Sequence, residues 1–305
     1  MTKFIARRLL LLIPVILGVS IISFSIMHMI PGDPARIIAG EGATKQDIEA
    51  IRSKYGLDRP LIEQYFRFMK GILTNDLRSI KTERPILKEI SPRFLNTVQL
   101  AVVSIFISSI IGISLGIASA VRRNTWLDSF AMFFSLIGVS MPIFWLGILL
   151  IIIFSVFLGW LPSGGKGGVE HIILPAVTLG LATSAIIARM TRASMLEVLN
   201  QDYVRTAKAF GLAKRKVVYK YVLRNALIPI ITVIGLQFGY LLGGAVLTES
   251  VFGWPGLGRY VVDSIFNRDY IAVQVGIMII AMSFVLVNLL VDIFYALIDP
   301  RLRRG

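Results

Sequence analysis

Six stretches of this chain carry no Asp, Glu, Lys or Arg for long enough to cross a lipid bilayer. They lie between Arg8 and Asp33, Arg93 and Arg122, Asp128 and Lys166, Glu170 and Arg189, Arg224 and Glu249, and Asp269 and Asp292. A hydrocarbon core about 30 Å thick needs about 20 helical residues at roughly 1.5 Å each. The run 171–188 is the shortest, and Arg189 and Arg192 can snorkel at its end. The predicted fold class is therefore an all-α membrane protein with about six transmembrane helices. Composition agrees, because 55% of the 305 residues are hydrophobic and 16% are charged, against roughly 45–50% and about 25% in a soluble domain.

The first run is not read as a cleaved signal. Lys3, Arg7 and Arg8 resemble an n-region, but the apolar stretch from Leu9 to Ile30 is too long and no small-residue cleavage site follows it. Orientation follows from the basic residues. With the N-terminus inside, the inner segments hold 17 basic and five acidic residues, and the two short outer loops hold three and four. The long 31–93 segment is balanced and escapes the rule. Both termini are thus expected inside, and most of the net charge of +14 is a topology signal. A lipid bilayer is the expected partner and nucleic acid is not. Cysteine is absent and histidine occurs only as His28 and His171, so no disulfide, thiolate zinc site or other metal site is expected within the chain.

Four segments follow: 1–30, an inner N-terminus and first helix; 31–93, a small extracytoplasmic helical region; 94–298, helices two to six with an inner loop at 189–224; and 299–305, an inner tail. In the second, Thr44 and Asp47 form a capping box opening a helix with Ile48, Ile51 and Tyr55 on its apolar face. Gly56 ends it. Asp58 and Pro60 start another with Leu61, Tyr65, Phe68 and Ile72 in a stripe. This region either covers the span ends or offers a docking surface. The other outer loop, 249–269, contains Val251 to Arg259, whose three glycines and proline oppose a helix. Trp254 suits an interfacial or buried anchor. A tight turn between spans five and six would account for the segment, but so apolar a turn is expected to pack into the outer mouth of the bundle, with Phe252, Trp254 and Pro255 as gate or docking candidates.

The inner loop is the most informative. Leu199, Tyr203, Ala207 and Phe210 share one helical face, Arg205 and Lys208 point elsewhere, and Gly211 stops the helix. Lys216, Lys220 and Arg224 then recur every fourth residue, a stripe suited to lipid phosphates. A small apolar helix projecting from the membrane suits a groove in another protein.

The run Tyr203-Val204-Arg205-Thr206-Ala207-Lys208-Ala209-Phe210-Gly211-Leu212 resembles the coupling loop of ABC importer membrane subunits, within the dipeptide, oligopeptide and nickel permease group. Also similar to that group, in order, are Arg8-Leu9-Leu10 through Ile13-Pro14, His28, Pro31-Gly32-Asp33-Pro34-Ala35, Tyr55 to Pro60, Val251 to Gly258, and Asp299 to Arg303. The first, B-type permease of such systems is the nearest likeness. The general pattern has Glu-Ala-Ala six residues before the glycine, where this chain has Arg205-Thr206-Ala207. It closes on Ile-x-Leu-Pro, where this chain has Tyr221-Val222-Leu223-Arg224 and a later Pro229.

The resemblance implies an ABC type I importer permease in the inner membrane of a bacterium or archaeon. It would form a pathway with a homologous second permease, driven by two cytosolic ATPases and fed by an extracytoplasmic solute-binding protein. Peptides are the implied cargo, with nickel or another small solute as the alternative. ATP and magnesium would sit on the ATPases. This chain itself has no G-x-x-x-x-G-K-[ST] loop, no expected catalytic residue and no expected cofactor. An ion-coupled carrier is the rival, but such carriers keep ionisable residues within spans. His28, near the outer end of the first span, is read as a helix cap. An intramembrane serine protease would need Ser and His at matched depth, and both histidines lie near the outer face. Ser140-Met141-Pro142 interrupts span three as a packing kink or as pathway lining. Gln237 in span five either faces the pathway or bonds a neighbouring helix.

Overall fold

A computed structural model describes residues 2–29, 32–40 and 42–298. Pro31 and the tail 299–305, with its Asp299–Arg303 motif, lie outside the described residues. The chain runs through α1 (Thr2–Met29), α2 (Pro34–Ala39), α3 (Lys45–Tyr55), α4 (Leu61–Thr74), α5 (Ile86–Val121), α6 (Trp126–Ser140) and α7 (Ile143–Leu150). A π-helical segment, Ile151–Phe157, continues α7. There follow α8 (Glu170–Leu199), α9 (Asp202–Ala209), α10 (Lys214–Lys216), a second π-helical segment Val217–Leu223, α11 (Arg224–Gly244), α12 (Val246–Val251), α13 (Leu257–Phe266) and α14 (Tyr270–Ile298).

Among the described residues, five helical stretches are long and apolar enough to cross a membrane: Arg8–Met29, Ile86–Val121, Glu170–Leu199, Lys214–Gly243 and Tyr270–Ile293. A sixth crossing requires α6 and α7 together, and these are bent by 103°. The cause is local. Pro142 has no N–H to continue the ladder and forces the preceding residue out of helical geometry, and Met141 is extended at φ −80° and ψ 129°. A bend of this size breaks the span into two helices.

Among the described residues, 98–254 with 286–298 form one compact unit. Its central helix is α8, against which α6, α7, α11 and α12 pack. The buried side of α8 is built from small residues, including Ala176, Gly180, Thr183, Ser184, Ala185, Ala188 and Ser194. Small residues let backbones approach where no hydrophobic force between helices exists, as in lipid. Gly112 and Gly116 of α5 face the same helix. A methyl added at Gly112 would lie 2.7 Å from Ile187 Cβ and 2.8 Å from the Ser184 carbonyl oxygen. Two apolar clusters fill this unit. One gathers Leu100, Leu179, Leu241 and Trp254; the other gathers Met195, Val204, Val217, Val222 and Ile230.

Residues 2–97 and 255–285 form the second unit, whose core joins Phe68, Ile86 and Ile90 to Leu257, Val261, Val273 and Met278. The capping box is present: the Asp47 N–H donates to Thr44 Oγ1 at 3.2 Å and the Thr44 N–H to Asp47 Oδ2 at 2.9 Å. Gly56 closes α3 in the left-handed conformation. Pro60 precedes α4, but Leu61 is exposed, and the buried positions of α4 are Gln64, Phe68 and Gly71. His28 does not cap α1: its Nε2 pairs with Gln64 Oε1 of α4 at 3.2 Å, and its ring rests on Phe24 at 4.8 Å between centroids. The 251–259 segment is also less irregular than its glycines predict. Helix α13 starts at Leu257 and takes in Gly258 and Arg259, because Leu257, Gly258 and Val261 are buried and tertiary packing outweighs weak propensity.

Candidate functional site

The eight residues of α9 are joined to α8 by Asn200 and Gln201 alone. This short link makes α9 an outrigger on the longest buried helix of its unit. Val204 and Ala207 are its buried residues, packed with Met195, Val217, Val218 and Val222. Tyr203 and Phe210 point away, and Phe210 is 81% exposed. The apolar stripe expected through Leu199, Tyr203, Ala207 and Phe210 is therefore divided. Ala207 and the half-buried Leu199 belong to the core side with Val204, while Tyr203 and Phe210 form the outward knob. Two stripes one residue apart share Ala207, and the π-helical neighbour selects the one containing Val204.

The exposed side of α9 also carries Arg205, Thr206, Lys208 and Ala209. Arg205 lies 3.6 Å from Asp202, and Thr206 Oγ1 donates to the Asp202 carbonyl at 3.0 Å. Asn225 Nδ2 of α11 donates to Tyr203 Oη at 3.1 Å, fixing the base of the knob. Gly211 follows at φ +73° with no atom near the position of an added Cβ. Glycine is favoured there by backbone conformation rather than by space. Leu212, half-buried, returns the chain to the same cluster. In the second π-helical segment Val217, Val218 and Val222 face in, and Lys216, Lys220 and Arg224 remain exposed.

A feature not anticipated from the sequence lies at the start of α6. Asp128 is 4% exposed and accepts from Arg192 of α8 through Nε at 2.7 Å and Nη2 at 2.9 Å. The Asn124 N–H donates to its other side at 3.0 Å, and Ser119 Oγ completes the shell. Such a forked pair in a sheltered site sets direction as well as attraction. The 64 residues separating the partners leave no local pattern to read.

At the 103° break, Ile137, Ser140, Met141, Pro142 and Trp145 line an open recess of about 470 Å³. Gln237 is half-buried on α11 and is not among the residues lining it. Phe252 and Trp254 are buried in the core of their unit, so neither presents a side chain for docking in this conformation. The Gly165 N–H donates to the Phe252 carbonyl at 2.7 Å, which holds the 158–168 loop against that turn. Pro255 is half-buried and its carbonyl accepts from Asn96 Nδ2 at 2.8 Å. Among the described residues no group of three or more His, Asp or Glu is arranged to hold a metal ion.

Residues 112–304, which include α6 to α14 and the outrigger α9, match the profile of the binding-protein-dependent transport system inner membrane component. The chain belongs to this family. The N-terminal profile of the same transport-system membrane components matches residues 1–101. Among its relatives this inner membrane component is 46% identical to the dipeptide transport system permease protein DppB of Alkalihalophilus pseudofirmus, over 99% of this chain and 100% of the relative. It is 47% identical to the glutathione transport system permease protein GsiC of Escherichia coli strain K12, over 99% of each chain. Its fold is shared with an inward-facing structure of the MetNI methionine ABC transporter, at TM-score 0.63 and 20% identity over 71% of this chain and 99% of that one. The chain is thus an ABC importer permease of the type I fold and a multi-pass inner-membrane protein.

Proposed function

We propose that this permease forms, with a homologous second permease, the pathway by which di- or oligopeptides enter a bacterial cell. An extracytoplasmic binding protein delivers the peptide. Two cytosolic ATPases, which hold the ATP and magnesium, grip α9 and move it. The observation carrying this reading is α9 itself: a helix anchored by Val204 and Ala207 that leaves Tyr203 and Phe210 outside its own core. An exposed aromatic on a braced helix fits a groove in a partner. The relatives named for dipeptide and glutathione transport support a peptide cargo. The recess at Ser140, Met141 and Pro142 is the pathway wall in this reading, since a broken span frees backbone carbonyls that only protein or water can satisfy.

Reconstitution tests it. Proteoliposomes holding this chain, the second permease, the ATPases and the binding protein should take up labelled dipeptide in an ATP-dependent manner. Uptake of nickel in place of peptide would redirect the cargo, and uptake by this chain alone would overturn the mechanism.

A further inference from the structure

We propose that Asp128 and Arg192 are positioning residues that carry the motion of α9 to the bend at Ser140–Pro142. The inference rests on the coupling reading above and adds the mechanical link that reading lacks. The seam between α6 and α8 is nearly smooth. On α6 the residues turned inward are Asp128, Ala131 and Ser135, and further along it an added methyl at Gly138 would lie 3.1 Å from Ala185 Cβ. Leu127 and Met132 are half-buried, and the aromatic residues Trp126, Phe130, Phe133 and Phe134 are exposed and meet one another in tilted or edge-on pairs. Small residues let these helices pack closely, and the α6 side of the seam offers few long side chains to fix one helix along the other.

The forked ion pair removes that freedom. Arg192 Nε and Nη2 meet the two Asp128 oxygens at 2.7 and 2.9 Å, and the backbone N–H of Asn124 with Ser119 Oγ holds the carboxylate from behind. Buried polar pairs of this kind are best attested as setters of register. Arg192 stands seven residues before the end of α8, which leads directly into α9. Asp128 stands twelve residues before Ser140 on one uninterrupted helix, a rigid arm of roughly 18 Å. A displacement of α9 therefore has, beside the packing of α7 on α8, a rigid route through this clasp to the α6 side of the broken span.

The test uses the transporter assembled with its partner subunits in nanodiscs, with Ser140→Cys as a reporter in a chain that has no other cysteine. Ser140 is exposed in this chain. The readout is the rate at which N-ethylmaleimide modifies position 140, followed on this chain by mass spectrometry, without nucleotide and after vanadate trapping with ATP. With the pair intact, the rate should change by about threefold or more between the two states. Asp128→Asn and Arg192→Lys should each abolish that change while ATP hydrolysis stays within about twofold. The Asp128→Glu/Arg192→Lys double variant, which returns reach on one side for reach lost on the other, should restore it. An undiminished change in the single variants would overturn the proposal, as would no change with the pair intact. Failure of both conservative single variants, Asp128→Glu and Arg192→Lys, to assemble would assign the pair to folding and would also overturn it. Gly211→Val separates this inference from the coupling reading. If Gly211→Val loses the change and Asp128→Asn keeps it, only the clasp fails; if both keep it, the coupling reading fails.

Discussion

Gly116 of α5 lies directly against Thr191 of α8: a methyl at Gly116 would sit 2.5 Å from Thr191 Cβ and 2.7 Å from the Ala188 carbonyl oxygen. Neither neighbour is the free end of a flexible side chain, so the helices must part to admit one. Gly116→Leu should lower the thermal stability of the detergent-solubilised protein, with an overpacking cost of about 1–3 kcal/mol. Gly18→Ala is the control, because no atom lies within 4 Å of the position its methyl would take. Fluorescence-detected size exclusion after a heating series reads both. Equal midpoints would show that α5 and α8 are not packed through this glycine.

Asp269 ties two distant parts of its unit together. It accepts from Ser79 Oγ, from the Ile80 N–H at 3.2 Å and from the Ala272 N–H at 3.1 Å, so it caps α14 and anchors the 79–85 segment at once. Asp269→Ala should release that segment to trypsin at Lys81. Loss of several charge-assisted bonds, each about 1.5–3 kcal/mol, should speed cleavage by about tenfold or more. Asp269→Asn should fall between, keeping an acceptor but losing the charge. A cleavage rate unchanged in Asp269→Ala would contradict the anchoring role.

The capping box of α3 gives a pH dependence with a definite sign. The hydrogen bonds from Thr44 hold the Asp47 carboxyl below its ordinary value. A carboxyl whose pKa is depressed by folding stabilises above its unfolded pKa, and the stabilisation disappears as pH falls through the folded value. The first turn of α3 should thus fray in acid below about pH 4, seen as lower protection of the Asp47 and Ile48 amides relative to their intrinsic exchange rates at each pH. Asp47→Asn should flatten this response. An acid response of the same size in that variant would locate it elsewhere.

Much of the architecture is legible in the sequence because its causes are local. The charge-free runs locate the spans, Thr44 and Asp47 start α3, Gly56 stops it, and Pro142 breaks span three. The features that escape reading depend on partners far along the chain. Asp128 and Arg192 look like loop-edge charges until α6 and α8 are side by side. Val204 outranks Tyr203 as the inward residue of α9 only because the π-helical segment 217–223 lies beneath it. Helix α13 forms through glycine because Leu257 and Val261 have a core to enter. One signal was available: Gly112 and Gly116 stand four residues apart on an apolar helix, the small-residue spacing of close helix pairs.

Gly211 separates backbone strain from crowding. At φ +73° with open space around it, a β-branched residue should cost roughly 1–2 kcal/mol through conformation alone, and asparagine less. Gly211→Val should therefore lower ATP-dependent uptake sharply, while Gly211→Asn retains most of it. Equal uptake in both variants would show that the left-handed turn after α9 is not needed.

The central claim is that α9 is a handle worked from inside the cell by another subunit. Cross-linking from Phe210→Cys with a short maleimide–diazirine reagent, whose photoactivated end needs no thiol on the partner, in membranes containing the whole transporter, tests it most directly. The account predicts a single adduct with the ATPase subunit, lost when the ATPases are omitted, and no reaction with a membrane-impermeant maleimide applied to intact cells. Labelling of position 210 from outside, with no ATPase adduct, would contradict it.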